Sequence, residues 1–141
     1  MNNFPADDYS PEVTDVIAVA EFRAALRQFL RRSERVARQS GLTPQRHLLL
    51  LMIKGAPGGD EQSTVTQLSQ RLQLAQSTVT ELVRRAEEAG LIERTQSQRD
   101  ARVAHLRLTP EGERRLMLSF TELETERAQL RDAFARLDAA Q

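Results

Sequence analysis

The chain has 141 residues and a mass of 16.0 kDa, the size of one domain with room for an added oligomerisation element. It contains no cysteine, which excludes disulfide scaffolds, thiolate metal sites, thiol catalysis and thiol-based sensing. Its 40% hydrophobic and 28% charged residues exclude bulk disorder. The longest apolar run, residues 48–53, is too short to span a bilayer, and the acidic first ten residues are unlike a secretory signal. We therefore expect a cytoplasmic protein without a membrane partner.

The net charge is zero, but the charged residues are unevenly placed along the chain. The first 22 residues hold five acids and no base, whereas residues 23–54 hold eight bases and the single acid Glu34. Phosphates meet local basic faces rather than a net charge, so a neutral total does not exclude nucleic acid as a partner. Every basic residue except Lys54 is arginine. This choice reflects either codon bias or the bidentate contacts that arginine makes with phosphates and bases.

Two helices are predicted in the first part of the chain. Apolar residues at helical spacing predict a first helix over about residues 11–40, closed by Gly41. Thr43 and Pro44 are typical of an N-cap and a first helical position, so a second helix begins there and ends at Gly55. This second helix is nearly all apolar over residues 48–53, which predicts that it is central and buried.

A glycine-rich loop over residues 55–63 precedes the most informative part of the sequence. Residues 64–65 have the types of a short strand, and residues 66–72 predict a third helix. A tight turn at 73–75 leads to a fourth helix over about residues 76–89.

A hairpin and a last helical region follow. Strands are predicted over residues 91–95 and 102–108, with a polar tip at 96–101. Thr109 and Pro110 then open a helical region that runs to about residue 139, as one helix or two. The chain is thus predicted to be mainly α with a small β-hairpin. Its third and fourth helices and hairpin are the parts of a winged helix-turn-helix.

The fourth helix has one apolar face, and its other face has the features of a DNA-recognition surface. Short hydroxyl side chains let a helix lie deep in the major groove, while amides and arginines reach base edges or phosphates. The alternative is an amphipathic helix with a solvated polar face, and the acids Glu81 and Glu88 would repel phosphate. The apolar face comprises Val79, Leu82, Val83 and Ala86. The candidate DNA-binding residues are Gln76, Ser77, Thr78, Thr80, Arg84 and Arg85.

The hairpin carries four arginines within fourteen residues: Arg94, Arg99, Arg102 and Arg107. A β-ribbon is thin enough to deliver an arginine into a narrow minor groove, which attracts that side chain. Asp100 is placed to hold the Arg102 guanidinium by a bidentate pair. Arg99, Asp100 and Arg102 are therefore the candidate DNA-binding residues of the hairpin. The alternative is a solvated hairpin with a surface ion pair.

Several segments together resemble the MarR (multiple antibiotic resistance regulator) family of transcription factors. In the family's order, over about residues 42–112, they are LTPQ (42–45), VTQL (65–68), QSTVT (76–80), EEAGLIER (87–94), DAR (100–102) and LTPEG (108–112). The resemblance implies a homodimeric winged-helix DNA-binding protein, often a repressor released by a small ligand. It also implies that the fourth helix enters the major groove and that Arg102, oriented by Asp100, enters the minor groove.

The sequence departs from the family's pattern at three places. Gln73 replaces the usual glycine of the helix-helix turn. Ala75 replaces the usual capping residue, which leaves Ser77 as the nearest side chain able to cap the fourth helix. The loop over residues 55–63 is longer than usual.

The C-terminal region predicts a dimer. Its apolar positions alternate spacings of four and three, a heptad-like seam interrupted by Arg127. Packing against the N-terminal helix of another subunit would make a dimer, and packing within one chain is the alternative. Two-fold symmetry would place two recognition helices about 34 Å apart on a pseudo-palindromic site. The seam positions are Leu116, Phe120, Leu123, Arg127, Leu130, Phe134 and Leu137.

These patterns divide the chain into three segments. Residues 1–41 form an N-terminal arm and dimerisation helix, 42–109 the winged helix-turn-helix, and 110–141 a C-terminal dimerisation region.

The two histidines do not predict a catalytic site. His47 is a weak candidate for contact with a ligand in a cleft beside the DNA-binding lobe, and a core histidine is the preferred interpretation. His105 is expected to be structural. No cluster has metal-ligand spacing, and neither a catalytic triad nor a phosphate-binding loop is evident. We therefore expect no enzyme activity, metal or cofactor.

The sequence predicts a sequence-specific DNA-binding transcriptional regulator. Its expected partners are double-stranded DNA, a second copy of itself and possible small-molecule effectors. The preferred form is a homodimeric repressor. The alternative is a winged-helix protein-interaction module that pairs with another regulator without binding DNA.

Overall fold

A computed structural model describes residues 12–96, 99–100 and 102–139 of the chain. The described residues form six helices and one antiparallel hairpin. The predicted N-terminal arm up to residue 11, and residues 97, 98 and 101 of the hairpin tip, lie outside the described residues. The elements are α1 (Val13–Gln39), α2 (Pro44–Lys54), α3 (Val65–Leu72), α4 (Gln76–Glu88), β1 (Ile92–Gln96), β2 (Ala104–Leu108), α5 (Pro110–Glu122) and α6 (Glu124–Ala139).

The chain folds as two compact units. One comprises residues 33–123, which contain the winged helix-turn-helix together with α5. The other combines the described parts of segments 1–32 and 124–141. The last helical region consists of two helices, α5 and α6, and Leu123 between them is the C-cap of α5.

The unit of residues 33–123 is built around α2, as the apolar run predicted. Leu49, Leu50 and Ile53 are fully buried, whereas Leu48 keeps 42% of its surface exposed and lies outside the core. Burial of each of these side chains contributes about 1.5–3 kcal/mol to folding. The rest of the cluster comes from the neighbouring parts of the chain: Ala37 of α1, Leu42, Leu68 of α3, Val79, Val83 and Ala86 of α4, Leu91, Ile92, Leu106 and Leu108 of the hairpin region, and Leu116 of α5.

The caps predicted for two helices are confirmed. The Thr43 hydroxyl accepts the amide of Arg46 at 3.2 Å, and Pro44 follows at the first helical position. The Thr109 hydroxyl accepts the amide of Gly112 at 3.1 Å, again followed by proline. Proline fits there because the first helical N–H groups have no partner within the helix.

The short strand predicted over residues 64–65 is wrong. Thr64 is the N-cap of α3 and forms a capping box with Gln67, in which each side chain accepts the other residue's amide. This pairing occupies the Thr64 amide and begins the helix at Val65. The strand-like contact falls on Ser63, whose main chain pairs with Leu106 of β2 at 3.1 and 2.8 Å.

The hairpin begins one residue later than predicted and ends where expected. Ile92 pairs with Leu108 at its base and Gln96 with Ala104 at its outer end. Arg102 precedes β2 instead of lying within it. Isoleucine and leucine at the base are buried, so the hairpin is anchored at one end and exposed along β1.

In the unit formed by the terminal segments, residues 13–32 of α1 lie beside α6. Phe22 and Phe134 meet edge to face with ring centroids 6.0 Å apart. Ion pairs join Glu21 to Arg136 and Arg32 to Glu126. Because positions later in α1 meet positions earlier in α6, the two helices run antiparallel in this unit. Several large apolar side chains of this unit remain exposed, namely Val13, Val16, Ile17, Val19, Leu30 and Phe134.

The start of α5 lies against the residue that begins the hairpin. The Leu91 carbonyl accepts the Thr109 amide at 3.0 Å, and the Thr109 hydroxyl donates to the Gly90 carbonyl at 2.6 Å. A Cβ atom added to Gly112 would lie 2.2 Å from the Leu91 oxygen. Only glycine therefore allows this approach.

We expect Gly112→Ala to destabilise the chain by about 3 kcal/mol or more, because the methyl group overlaps main chain that cannot rotate away. Gly90→Ala is the matched control. Its Cβ would meet no atom within 4 Å, so it should cost only the roughly 1–2 kcal/mol of a left-handed alanine at φ +74. Urea unfolding followed by circular dichroism compares the two variants. Equal losses would contradict the close approach at Gly112.

Candidate nucleic-acid interface

The turn between α3 and α4 keeps its shape without glycine. Gln73 adopts φ 56 and ψ 44 as the C-cap of α3, and its amide donates to the Ser69 carbonyl. The Ser69 hydroxyl donates to the Leu74 carbonyl at 2.6 Å, which closes the turn from the other side. The left-handed conformation costs about 1–2 kcal/mol for a residue with a side chain. The hydrogen bonds of the turn offset part of that cost.

The expected cap of α4 by Ser77 is wrong. The N-cap is Ala75, which has no side-chain hydrogen bond, and Ser77 is the second residue of the helix. The side-chain amide of Gln76 points back to the Thr66 hydroxyl of α3 at 3.5 Å. An alanine cap leaves helix N–H groups without a side-chain partner at the end expected to face DNA.

The two faces of α4 are divided as predicted. Val79, Val83 and Ala86 are fully buried, and Leu82 is half-buried. All six candidate DNA-binding side chains of the helix are exposed: Gln76, Ser77, Thr78, Thr80, Arg84 and Arg85. The Thr80 hydroxyl donates to the Gln76 carbonyl at 2.8 Å, and this hydrogen bond directs the hydroxyl along the helix. The fold therefore brings these residues together on one accessible surface.

The arginines of α4 are engaged by acids of the same helix. Arg84 donates from Nε and Nη2 to the two oxygens of Glu81 at 2.9 and 2.5 Å, and its Nη1 contacts Glu88. Arg85 donates from Nε to Glu81 at 3.1 Å. Sequence reasoning treated the acids only as groups that repel phosphate. Their spacing of three and four residues from the arginines was the available signal, since such pairs are neighbours on a helix.

The hairpin, which we call the wing, presents its arginines differently. Arg94 of β1 donates to Glu87 of α4 at 2.8 Å, which ties the wing to that helix. The Asp100 carboxylate accepts the main-chain amide of Arg102 at 3.0 Å, and the Asp100 carbonyl accepts the amide of Val103 at 3.1 Å. This hydrogen bond orients Arg102 through its main chain, and the expected pair with its guanidinium stays a prediction. The side chains of Arg99, Asp100 and Arg102 are exposed.

His47 lies inside the fold. It is 7% exposed on α2, and burial lowers the pKa of its imidazole, which keeps the ring neutral at pH 7. His105 is half-buried in β2, opposite Thr95. Neither ring lies on the exposed face of α4.

The described residues contain neither a metal-binding group of three or more histidine, aspartate or glutamate side chains nor a helix that is long and apolar enough to cross a membrane.

The ion pairs of α4 predict an unusual titration. Hydrogen bonds from Arg84 and then Arg85 lower the pKa of Glu81 from 4.5 to about 2. Because the folded-state pKa is depressed, the stabilisation is present above pH 4.5 and is lost as the pH falls towards 2. We expect carboxyl-carbon NMR to place the Glu81 midpoint near 2, and the Arg84→Gln variant to raise it. A wild-type midpoint near 4.5 would show that the pairs do not form in solution.

Comparison with known proteins shows that this part of the chain is similar to a recognised family. A family model described as MarR family matches residues 40–103. An uncharacterized HTH-type transcriptional regulator of Bacillus subtilis strain 168, YsmB, is 40% identical over 72 residues. These cover 50% of this chain and 47% of YsmB, so the chain spans about half the length of this curated relative.

Two solved structures are similar in fold and sequence. The MarR family transcription regulator SP03579 is 26% identical with a TM-score of 0.67, over 88% of this chain and 80% of that one. Streptococcus pneumoniae FabT, solved in complex with DNA, is 28% identical with a TM-score of 0.57, over 64% and 61% of the two chains.

Proposed function

The chain belongs to the MarR family, and we propose that it is a sequence-specific DNA-binding transcriptional regulator that acts as a homodimeric repressor on a pseudo-palindromic operator. The observation that carries this proposal is one winged helix-turn-helix exposing both a polar, arginine-bearing face of α4 and Arg102 of the wing. The complex of the similar FabT with DNA supports it.

In this proposal α4 occupies the major groove. The small side chains of Ser77, Thr78 and Thr80 lie toward its N-terminus, so the helix can approach the bases closely. Gln76 is available for bidentate contact with adenine, and arginine for guanine or phosphate. Arg84 and Arg85 lie a turn further on, where the helix meets the phosphate backbone.

The wing occupies the adjacent minor groove. Asp100 shapes the turn that carries Arg102, while Arg94 fixes the wing to α4 through Glu87. A narrow minor groove concentrates negative potential and attracts an exposed arginine. Arg99 is placed on the same turn and adds to the positive charge of the wing.

The dimer is supported by the unit that α1 and α6 form. Exposed apolar side chains such as Val13, Val16 and Ile17 require a partner surface, since contiguous apolar patches mark interaction sites. A second copy is the partner we propose. Two-fold symmetry then repeats α4 on successive major grooves, about 34 Å apart.

A small effector that releases the DNA completes the proposal by analogy with the MarR family, and action on chromosomal DNA places the protein in the cytoplasm. MarR-family proteins are transcription regulators and not enzymes, in agreement with the absence of a catalytic constellation in the sequence.

A second candidate function is a winged-helix module that binds another protein. The observation that favours it is the charge of α4, whose three acids and two arginines give the helix a net charge of −1. Sequence-specific binding of DNA by the isolated chain would exclude this function.

We expect Arg102→Ala to weaken operator binding by about 1–3 kcal/mol per half-site, because it removes a minor-groove contact. Fluorescence anisotropy at two salt concentrations, with excess nonspecific competitor, measures the loss on duplexes that the wild-type protein selects from fragmented genomic DNA. Arg23→Ala of α1 is the control for loss of an exposed arginine outside the DNA surface. Wild-type affinity in Arg102→Ala would contradict the role of the wing. Failure of the wild type to select any duplex would favour the protein-interaction module.

We expect the wild-type chain to sediment as a dimer and Ile17→Glu to shift it towards monomer. Ile17 keeps 51% of its surface exposed in the single chain, and losing its burial costs about 1.5–3 kcal/mol, or roughly tenfold or more in the dimer dissociation constant. Gln28→Glu, on the polar surface of α1, adds the same charge without removing apolar area. A monomeric wild type, or equal effects of the two variants, would contradict the proposed dimer.

A further inference from the structure

The arginines on the exposed face of α4 are held back by one carboxylate. We call this group the Glu81 clamp and define it as Glu81 with the guanidinium groups of Arg84 and Arg85. Glu81 accepts three hydrogen bonds from the two arginines, at 2.5, 2.9 and 3.1 Å. Glu88 adds a contact to Nη1 of Arg84.

The clamp competes with DNA for the same donors. A phosphate binds a guanidinium through two parallel N–H groups, and Glu81 already occupies Nε and Nη2 of Arg84 in this way. The side chains of Glu81, Arg84 and Arg85 are 46%, 53% and 60% exposed, so the clamp lies on the accessible surface. A phosphate that binds the Nε and Nη2 edge of Arg84 must displace Glu81 from it, and one that binds Nε of Arg85 must do the same.

The competition operates at every physiological pH. The pKa of Glu81 is lowered to about 2, so its carboxylate stays charged at neutral pH. Displacement from the arginines leaves this charge facing DNA. On a duplex without a matching donor, Glu81 then meets only the negative potential of the phosphates, which opposes binding.

The major groove offers such a donor at particular bases. The amino groups of cytosine and adenine point into it, and glutamate accepts a hydrogen bond from the amino group of cytosine. An operator with a suitably placed amino group therefore gives Glu81 a new partner when Arg84 and Arg85 leave it. Nonspecific DNA gives no such compensation.

We propose that Glu81 is a specificity-determining residue, which holds Arg84 and Arg85 away from the phosphates of nonspecific DNA and releases them on operator DNA. The inference rests on the proposed DNA-binding function. Glu81 acts partly through the two arginines, as a positioning residue, and partly through its own contact with a base.

The test is Glu81→Gln, which keeps the shape of the side chain and removes its charge. We expect affinity for nonspecific duplex to rise about tenfold, because a dimer gains roughly two phosphate contacts, and the slope of log K against log salt to steepen by about 2. Affinity for a duplex selected by the wild-type protein from a random pool should rise less. The specificity ratio therefore falls, an effect that a purely structural role would not produce.

Two comparisons isolate the clamp from charge alone. Glu122→Gln makes the same change on an exposed residue of α5 and should leave nonspecific affinity unchanged. Glu81→Gln introduced into an Arg84→Gln/Arg85→Gln background should give a smaller gain, because it removes the repulsion between Glu81 and the phosphates but releases no arginine. Thermal melting by circular dichroism confirms that each variant is folded.

The outcomes separate the two proposals. Wild-type nonspecific affinity in Glu81→Gln, an equal gain in Glu122→Gln, or an undiminished gain without the arginines would each overturn the role of Glu81. Failure of the wild type to bind any duplex would overturn the DNA-binding function itself, and that result is visible before any variant is measured.

Discussion

The wing can present arginines at a fixed distance from α4 because its base is held by the junction of Gly90, Leu91, Thr109 and Gly112. The Leu91 amide donates to the last turn of α4, at the Ala86 carbonyl, while the Leu91 carbonyl accepts the Thr109 amide. One residue thus links the end of α4, the start of the hairpin and the entry to α5. The absence of a side chain at Gly112 lets α5 approach this residue. The relative placement of α4 and the wing depends on that approach.

The sequence predicted the features that arise from local chemistry. Thr43 and Thr109, each followed by proline, identified the caps of α2 and α5, because the capping hydroxyl acts within three residues. The periodicity of Val79, Val83 and Ala86 likewise identified the buried face of α4. The sequence did not predict the features that depend on which nearby group a residue contacts. Thr64 has the type of a strand residue, but Gln67 three positions later closes a capping box on it.

The candidate DNA-binding site likewise has features that the sequence predicted and features that it did not. The exposed positions of α4 follow from helical periodicity, whereas the state of their charges depends on pairing within the helix. The sequence indicated only that Glu81 would repel phosphate, whereas in the structure this acid also engages the two neighbouring arginines. At Asp100 and Arg102, the residue types predicted a pair between side chains but not the hydrogen bond from the Arg102 main-chain amide to the Asp100 carboxylate. Short polar side chains in turns favour such contacts because the backbone donor is nearby.

Because α4 and the wing differ in charge, they contribute differently to DNA binding in the proposed complex. Helix α4 has a net charge of −1 and its arginines are paired with acids, so it adds little to attraction for an arbitrary phosphate backbone. The residues from β1 to β2, inclusive, carry four arginines against two acids. One of these arginines, Arg94, is paired with Glu87 of α4, and we propose that the others supply most of the attraction. Contacts with phosphates attract a protein to DNA of any sequence, whereas contacts with bases discriminate between sequences. In the proposed complex the wing draws the chain to DNA, and contacts of α4 add affinity only where bases compensate the carboxylates that its arginines leave.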